Sequence, residues 1–140
     1  MIQTIVADDH GAFRRAISLL LEADGIEVVG EAQSGRQAID LIQEYMPDVL
    51  VADVTLPDLN GIEVVDAVIA LGEKTQVVIV SLYVNARLIT IALNKGAQGF
   101  VAKASIIEHL VPAVRSAHEG KRYLCPLSRQ ALQERANGAH

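Results

Sequence analysis

Five short Val/Ile-rich runs alternate along this 140-residue chain with segments of helical period, and that alternation restricts the fold more than any other feature. The runs cover residues 2–7, 26–31, 49–52, 76–80 and 99–102. Between them, Phe13, Ile17 and Leu20 fall on one helical face, as do Ala38, Leu41, Ile42 and Tyr45, then Ile62, Val65 and Ile69. Ile107, Val111, Val114 and Ala117 line the face of a last helix. Ser34 with Gln37, and Ser105 with Glu108, read as capping boxes that open two of these helices. Gly25, Gly72, Gly96 and Gly120 stand where helices should stop.

Nearly all-apolar central strands joined by helices belong to a parallel sheet covered on both faces. Right-handed crossovers then leave few topologies, of which the best is a doubly wound, flavodoxin-like (βα)5 α/β fold with strand order 2-1-3-4-5. The more polar run at 26–31 is expected at an edge. Pro112 falls inside the last helix, where a lost backbone bond predicts a kink. Residues 88–93 (LITIAL) are more apolar than a one-sided helix requires, which predicts a covering partner on that helix.

Hydrophobic residues make up 51% of the chain, enough for one domain with a full core and too few residues for two. No apolar run reaches the roughly 20 residues of a membrane helix, and MIQTIVADDH lacks the features of a signal peptide, so a cytoplasmic protein with no membrane partner is expected. The single cysteine, Cys125, has no disulfide partner, which fits a reducing compartment. Residues 1–120 carry 8 Lys/Arg against 16 Asp/Glu and so repel a nucleic-acid backbone. Residues 121–140 carry 4 against 1, the balance of a solvated linker or tail.

The residues that end the apolar runs carry the chemistry. Asp8 and Asp9 follow the first run, Asp53 the third, Ser81 the fourth and Lys103 the fifth. In a parallel sheet these ends lie side by side on the edge where open α/β folds build their sites. Mg²⁺ prefers hard oxygen ligands and keeps several waters, so Asp8, Asp9 and Asp53 could hold it, with Mn²⁺ as a substitute. Asp53, after the central run, is set to act as a carboxylate nucleophile toward a phosphoryl group, with Lys103 and Ser81 stabilising the equatorial oxygens.

Jointly these positions resemble the receiver domain of two-component response regulators, from Ile2 to about Gly120. The matching motifs are Asp8-Asp9, DVTLPDLNG at residues 53–61, Ser81, and GFVAK at 99–103. The resemblance makes Asp53 the phosphoacceptor, Asp8 and Asp9 the acidic metal pair, and the Thr55 main-chain carbonyl a further metal ligand. It makes Ser81 and Phe100 the switch residues, with Phe100 rotating inward as Ser81 is drawn to the phosphoryl group. Thr55 and Tyr83 then stand where access of the attacking water is set. The implied partners are a sensor histidine kinase and, on activation, a second receiver, paired through helix 4, strand 5 and helix 5.

ADDH, EVVGEAQSG and GKRYLCP resemble the NarL/LuxR-type subclass, in which a helix-turn-helix domain follows the receiver. That similarity implies a transcriptional role, with DNA bound only through a C-terminal output domain beyond this chain. The expected organisation is a receiver at 1–120 and a linker or tail at 121–140 that can form a short helix, cut from a longer regulator. A stand-alone receiver is the alternative. The receiver is expected not to be an enzyme; a small Mg²⁺-dependent phosphohydrolase is a weaker reading, for want of a second acid-base carboxylate beside Asp53. A nucleotide or flavin binder is weaker still, because the chain has no P-loop or GxGxxG turn and only 4% aromatic residues.

Overall fold

The computed structural model describes residues 1–138. The elements are β1 (Gln3–Ala7), α1 (Gly11–Ala23), β2 (Glu27–Ala32), α2 (Gly35–Tyr45), β3 (Val49–Asp53), α3 (Gly61–Ala70), β4 (Gln76–Ser81) and α4 (Ala86–Lys95). They are followed by β5 (Gly99–Ala102), a short 3₁₀ turn (Lys103–Ser105), α5 (Ile106–His118), β6 (Tyr123–Leu124) and α6 (Pro126–Gly138). All strands are parallel, in the order β2-β1-β3-β4-β5-β6.

Strand alternation divides the core between the two faces of the sheet. Ile5, Leu50, Ile79 and Phe100 point to the side of α2, α3 and α4, where Ile39, Ile42, Val65, Val68 and Ile89 meet them. Val6, Val51, Val78, Val80 and Val101 point to α1 and α5, against Ile17, Leu21, Leu110 and Val114. β3 is buried along its whole length, whereas β2 is half-exposed at its edge, as its polarity foretold. Register then sets the site: Ala7 pairs with Ala52, Asp53 with Val80, and Ser81 with Ala102, so the residues that end these strands share one edge.

The local signals divide. All four glycines expected to stop helices have positive φ, from 71° to 115°. Ser34 accepts from the Gln37 N–H at 3.1 Å, but Gln37 Oε1 takes the N–H of Gln33 and not that of Ser34. Ser105 caps nothing: the 3₁₀ turn runs straight into α5, which holds Ser105 at φ −109°, ψ 12° and out of the extended geometry a cap requires. A complete capping box stands instead at Asn60 and Glu63, opening α3. Pro112 lies inside an uninterrupted α5 on its exposed side, where water can satisfy the freed carbonyl of Glu108.

The segment expected as linker or tail closes the sheet. Tyr123 and Leu124 pair with Gly99 and Phe100, making a sixth strand that the five-strand reading lacks. The Ala102 N–H donates to Cys125 Sγ at 3.4 Å, and Ser128 Oγ donates to the Phe100 carbonyl at 3.2 Å. Cys125 and Ser128 are both fully buried. The Tyr123 hydroxyl lies 2.7 Å from His109 Nδ1, and Arg122 donates to the Leu93 carbonyl. α6 lies along α4 and β5, with Ala131 and Leu132 on the core. α6 thus covers part of α4 from within the chain, while Ile91 stays exposed on the same helix. A chain ended at Gly120 is expected to lose at least about 2 kcal/mol, the value of uncovering one large core side chain, read as a lower urea midpoint.

Candidate functional site

The β1–α1, β3–α3, β4–α4 and β5–α5 turns meet at the carboxyl edge. Lys103 Nζ donates to Asp8 Oδ2 at 2.9 Å and to Asp53 Oδ2 at 2.7 Å. All three groups are buried: Asp8 is 0%, Asp53 5% and Lys103 9% exposed. Burial would lower the Lys103 pKa, but the bonds and charges of Asp53 and Asp8 outweigh it and hold the ammonium above its usual range. Asp9 is exposed at the rim, and carboxylate oxygens of Asp8, Asp9 and Asp53 lie within 4.8 Å of one another. Three hard oxygen donors at that spacing, only partly neutralised by one lysine, fit a divalent cation such as Mg²⁺.

Backbone and hydroxyl groups hold the carboxylates from behind. The His10 N–H donates to Asp8 Oδ1 at 2.8 Å. Asp53 Oδ1 accepts from the Thr55 N–H at 3.1 Å and from the Thr55 hydroxyl at 3.2 Å. Ser81 Oγ, fully buried, donates to the Tyr83 carbonyl at 2.8 Å and accepts the Tyr83 N–H at 3.0 Å, so its proton is taken up by the Tyr83 carbonyl. Tyr83 is 63% exposed, and its ring borders a shallow depression shared with Thr55, Asn85 and Leu88.

Phe100, the expected switch aromatic, has its ring inside the core. It is fully buried on β5, between Ile79 of β4 and Leu124 of β6, so no exposed ring waits to swing inward. The reason lies in β6 and α6, which cover the strand that carries it.

Sequence reasoning missed the groups that tie this edge together. Arg14 donates from Nη1 to the Asp8 carbonyl at 2.8 Å and from Nε to Glu31 at 2.9 Å, and Ser18 donates to the same glutamate at 3.0 Å. Asp58, at φ 62°, accepts from the backbone N–H of Gly35 and Arg36 and so pins the loop after Asp53 to the start of α2. No local signal marked this group, because Glu31 lies 17 residues from Arg14 on another element. Burial would raise the Glu31 pKa, but bonds from Arg14 and Ser18 and the charges of Arg14 and Arg15 pull it below its ordinary value. A carboxylate held lower in the folded than in the unfolded state contributes stability above the unfolded value of about 4.3, lost as pH falls through the folded value. Glu31→Gln is therefore expected to flatten the acid limb of the stability curve below about pH 5 in urea titrations, with little change in its shape above pH 6.

A parallel α/β sheet with an acid trio and a lysine gathered at its carboxyl edge defines a receiver-type domain. The chain belongs to the response regulator receiver domain family, whose profile matches residues 4–115. It is 32% identical to the response regulator GacA of Pseudomonas aeruginosa over 133 residues, 94% of this chain and 62% of the relative. It is 33% identical over 126 residues to the probable transcriptional regulatory protein NarL of Mycobacterium tuberculosis, 89% of this chain and 58% of the relative. The chain thus spans between half and two thirds of the length of these relatives. The solved receiver domain of the latter protein matches with TM-score 0.83 and 34% identity, covering 86% of this chain and 98% of that one. A LuxR-family two-component response regulator from Aurantimonas matches with TM-score 0.93 and 29% identity over 98% of this chain and 99% of that one. The chain is a two-component receiver domain related to transcriptional regulators. No helix among the described residues is long and apolar enough to cross a membrane.

Proposed function

We propose that this receiver is switched by phosphorylation of Asp53, drawn from a sensor histidine kinase. The observation that carries the reading is the shared lysine: Lys103 bonds Asp53 and Asp8 together in a buried pocket at the sheet edge. Asp53 has one oxygen on that ammonium and the other on Thr55, so its carboxylate is oriented rather than free to rotate. A carboxylate oxygen of Asp53 forms the new bond to phosphorus while the bond to the donor breaks, its electron pair leaving with the donor nitrogen or oxygen.

Asp8, Asp9, Asp53 and the Thr55 carbonyl would hold Mg²⁺, or Mn²⁺ in its place, which when bound neutralises charge on the phosphoryl oxygens. Lys103 offers its ammonium to the same oxygens, and Ser81 exchanges the Tyr83 carbonyl for one of them. That exchange frees the β4–α4 turn. Phe100 then repacks from its buried place together with α4 and α6, and the α4–β5–α5 side, which in this chain is lined by β6 and α6, changes its fitness for a second receiver. Thr55 and Tyr83, at the open side of the pocket, set the access of hydrolytic water.

Residues 1–120 hold this chemistry, β6 and α6 complete the same sheet and core, and DNA is bound only through a C-terminal output domain. The setting is the cytoplasm. Borohydride reduction after treatment with an acyl-phosphate donor tests the assignment, because it converts an aspartyl phosphate to homoserine. The expected result is homoserine at position 53 alone; reduction at another carboxylate, or catalytic turnover of a phosphomonoester, would reject it.

A further inference from the structure

Lys103 has a neighbour that no charge pairing explains. Its Nζ lies 4.3 Å from the centroid of the Phe13 ring, within the range of a cation–π contact. An ammonium has three donors, and two of them go to Asp8 and Asp53. The aromatic face therefore covers a side of the cation that the carboxylates leave open. Phe13 is itself held: it sits in the first turn of α1, its N–H donates to His10 Nδ1, and its half-buried ring packs on the core layer that contains Val6 and Val101. Ile106 and Ile107 line a surface cavity together with Phe13.

We propose that Phe13 is a positioning residue for Lys103, fixing the ammonium over the pocket through the face of its ring. A lysine has a flexible four-carbon stem, and the two carboxylates restrain only its tip. When Asp53 takes a phosphoryl group, negative charge moves from its carboxylate to the phosphoryl oxygens, and the lysine must follow that charge without leaving the pocket. The ring supplies a restraint that is the same before and after transfer, because its attraction for the cation does not involve Asp53. The kinetic part of this assignment rests on Asp53 as the phosphoacceptor; the contact itself does not.

Two measurements test it on the full 140-residue chain. In ¹H–¹³C spectra, the ε-methylene of Lys103, assigned by its loss in Lys103→Gln, should be shifted upfield by the ring current. The shift should vanish in Phe13→Leu and persist in Phe13→Tyr. With acetyl phosphate and Mg²⁺, Phe13→Leu should slow adduct formation roughly 3- to 10-fold, the size of a partly desolvated cation–π contact, while Phe13→Tyr stays within about twofold of the parent. In a Lys103→Gln background, adding Phe13→Leu should change the residual rate by less than about twofold, because the ring would have nothing left to position.

A Lys103 signal that is the same in Phe13→Leu and the parent overturns the proposal. So does a Phe13→Leu rate equal to that of the parent, or a Phe13→Leu deficit that persists undiminished without the lysine, which would make Phe13 a core filler only. A parent chain that takes no phosphoryl group while the ring-shifted lysine signal is present would overturn the phosphoacceptor reading and support the contact.

Discussion

Lys103→Met is expected to destabilise the chain by about 3–5 kcal/mol at neutral pH, because it leaves two buried carboxylates without their shared cation. Lys103 bonds Asp8 at 2.9 Å and Asp53 at 2.7 Å, and all three side chains are nearly inaccessible to water. Asp9 adds a third carboxylate within 4.8 Å, so like-charge repulsion compounds the loss of solvation. Methionine fills most of the lysine stem's volume, which keeps the packing term small and isolates the charge term. The check is the urea midpoint at unchanged slope. Adding Asp53→Asn should restore a large part of the loss, since it removes one of the stranded charges. If the double variant is no more stable than Lys103→Met, the damage lies in packing and not in electrostatics. The single variant should also slow phosphoryl uptake by about 10²-fold, the usual value of one positioned donor in a buried site.

Gly35→Ala is the second large effect, and here the sign has to be argued. Gly35 opens α2, where alanine is intrinsically better than glycine by about 1 kcal/mol. A methyl group at this position, however, would lie 2.1 Å from the Leu59 carbonyl oxygen, 2.6 Å from Leu59 Cβ and 2.9 Å from the Leu59 carbonyl carbon. Two of these atoms are backbone and cannot rotate away. α2 must back off from the loop, stretching the bonds of the Gly35 N–H to Asp58 and to the Pro57 carbonyl. Overpacking of this kind costs typically 1–3 kcal/mol, and with immovable neighbours we expect the upper end to win, with the melting temperature falling by roughly 5–10 °C. Because that loop begins just after Asp53, phosphoryl uptake should slow as well. An unchanged or raised melting temperature would show that the loop yields at no cost.

How far these features could be read in the sequence depended on whether the signal was local. Val/Ile runs and helical faces are local, so five strands, five helices and their order were legible. The site was legible too, because a parallel sheet turns the ends of distant runs into neighbours: Asp8, Asp53 and Lys103 meet as the spacing implied. β6 was not, since two residues show no period and Tyr123–Leu124 is a strand only because β5 offers it an edge. The buried state of Phe100 follows from β6 and α6 and was hidden with them. Ser105 with Glu108 had the letters of a capping box, but the 3₁₀ turn before it removed the backbone geometry. Asn60 with Glu63 has no such turn before it, and the extended backbone at Asn60 lets the box form. Arg14 with Glu31, and Phe13 with Lys103, join residues on different elements, and nothing local marks such pairs in advance.

The intact mass of the chain after incubation with a small acyl-phosphate donor, with and without Mg²⁺, compared with that of Asp53→Asn, tests most directly whether Asp53 is the switch. A single phosphoryl adduct is expected on the parent, dependent on Mg²⁺ and missing from the variant. A parent that gains no mass, or an Asp53→Asn variant that gains as much as the parent, would contradict it.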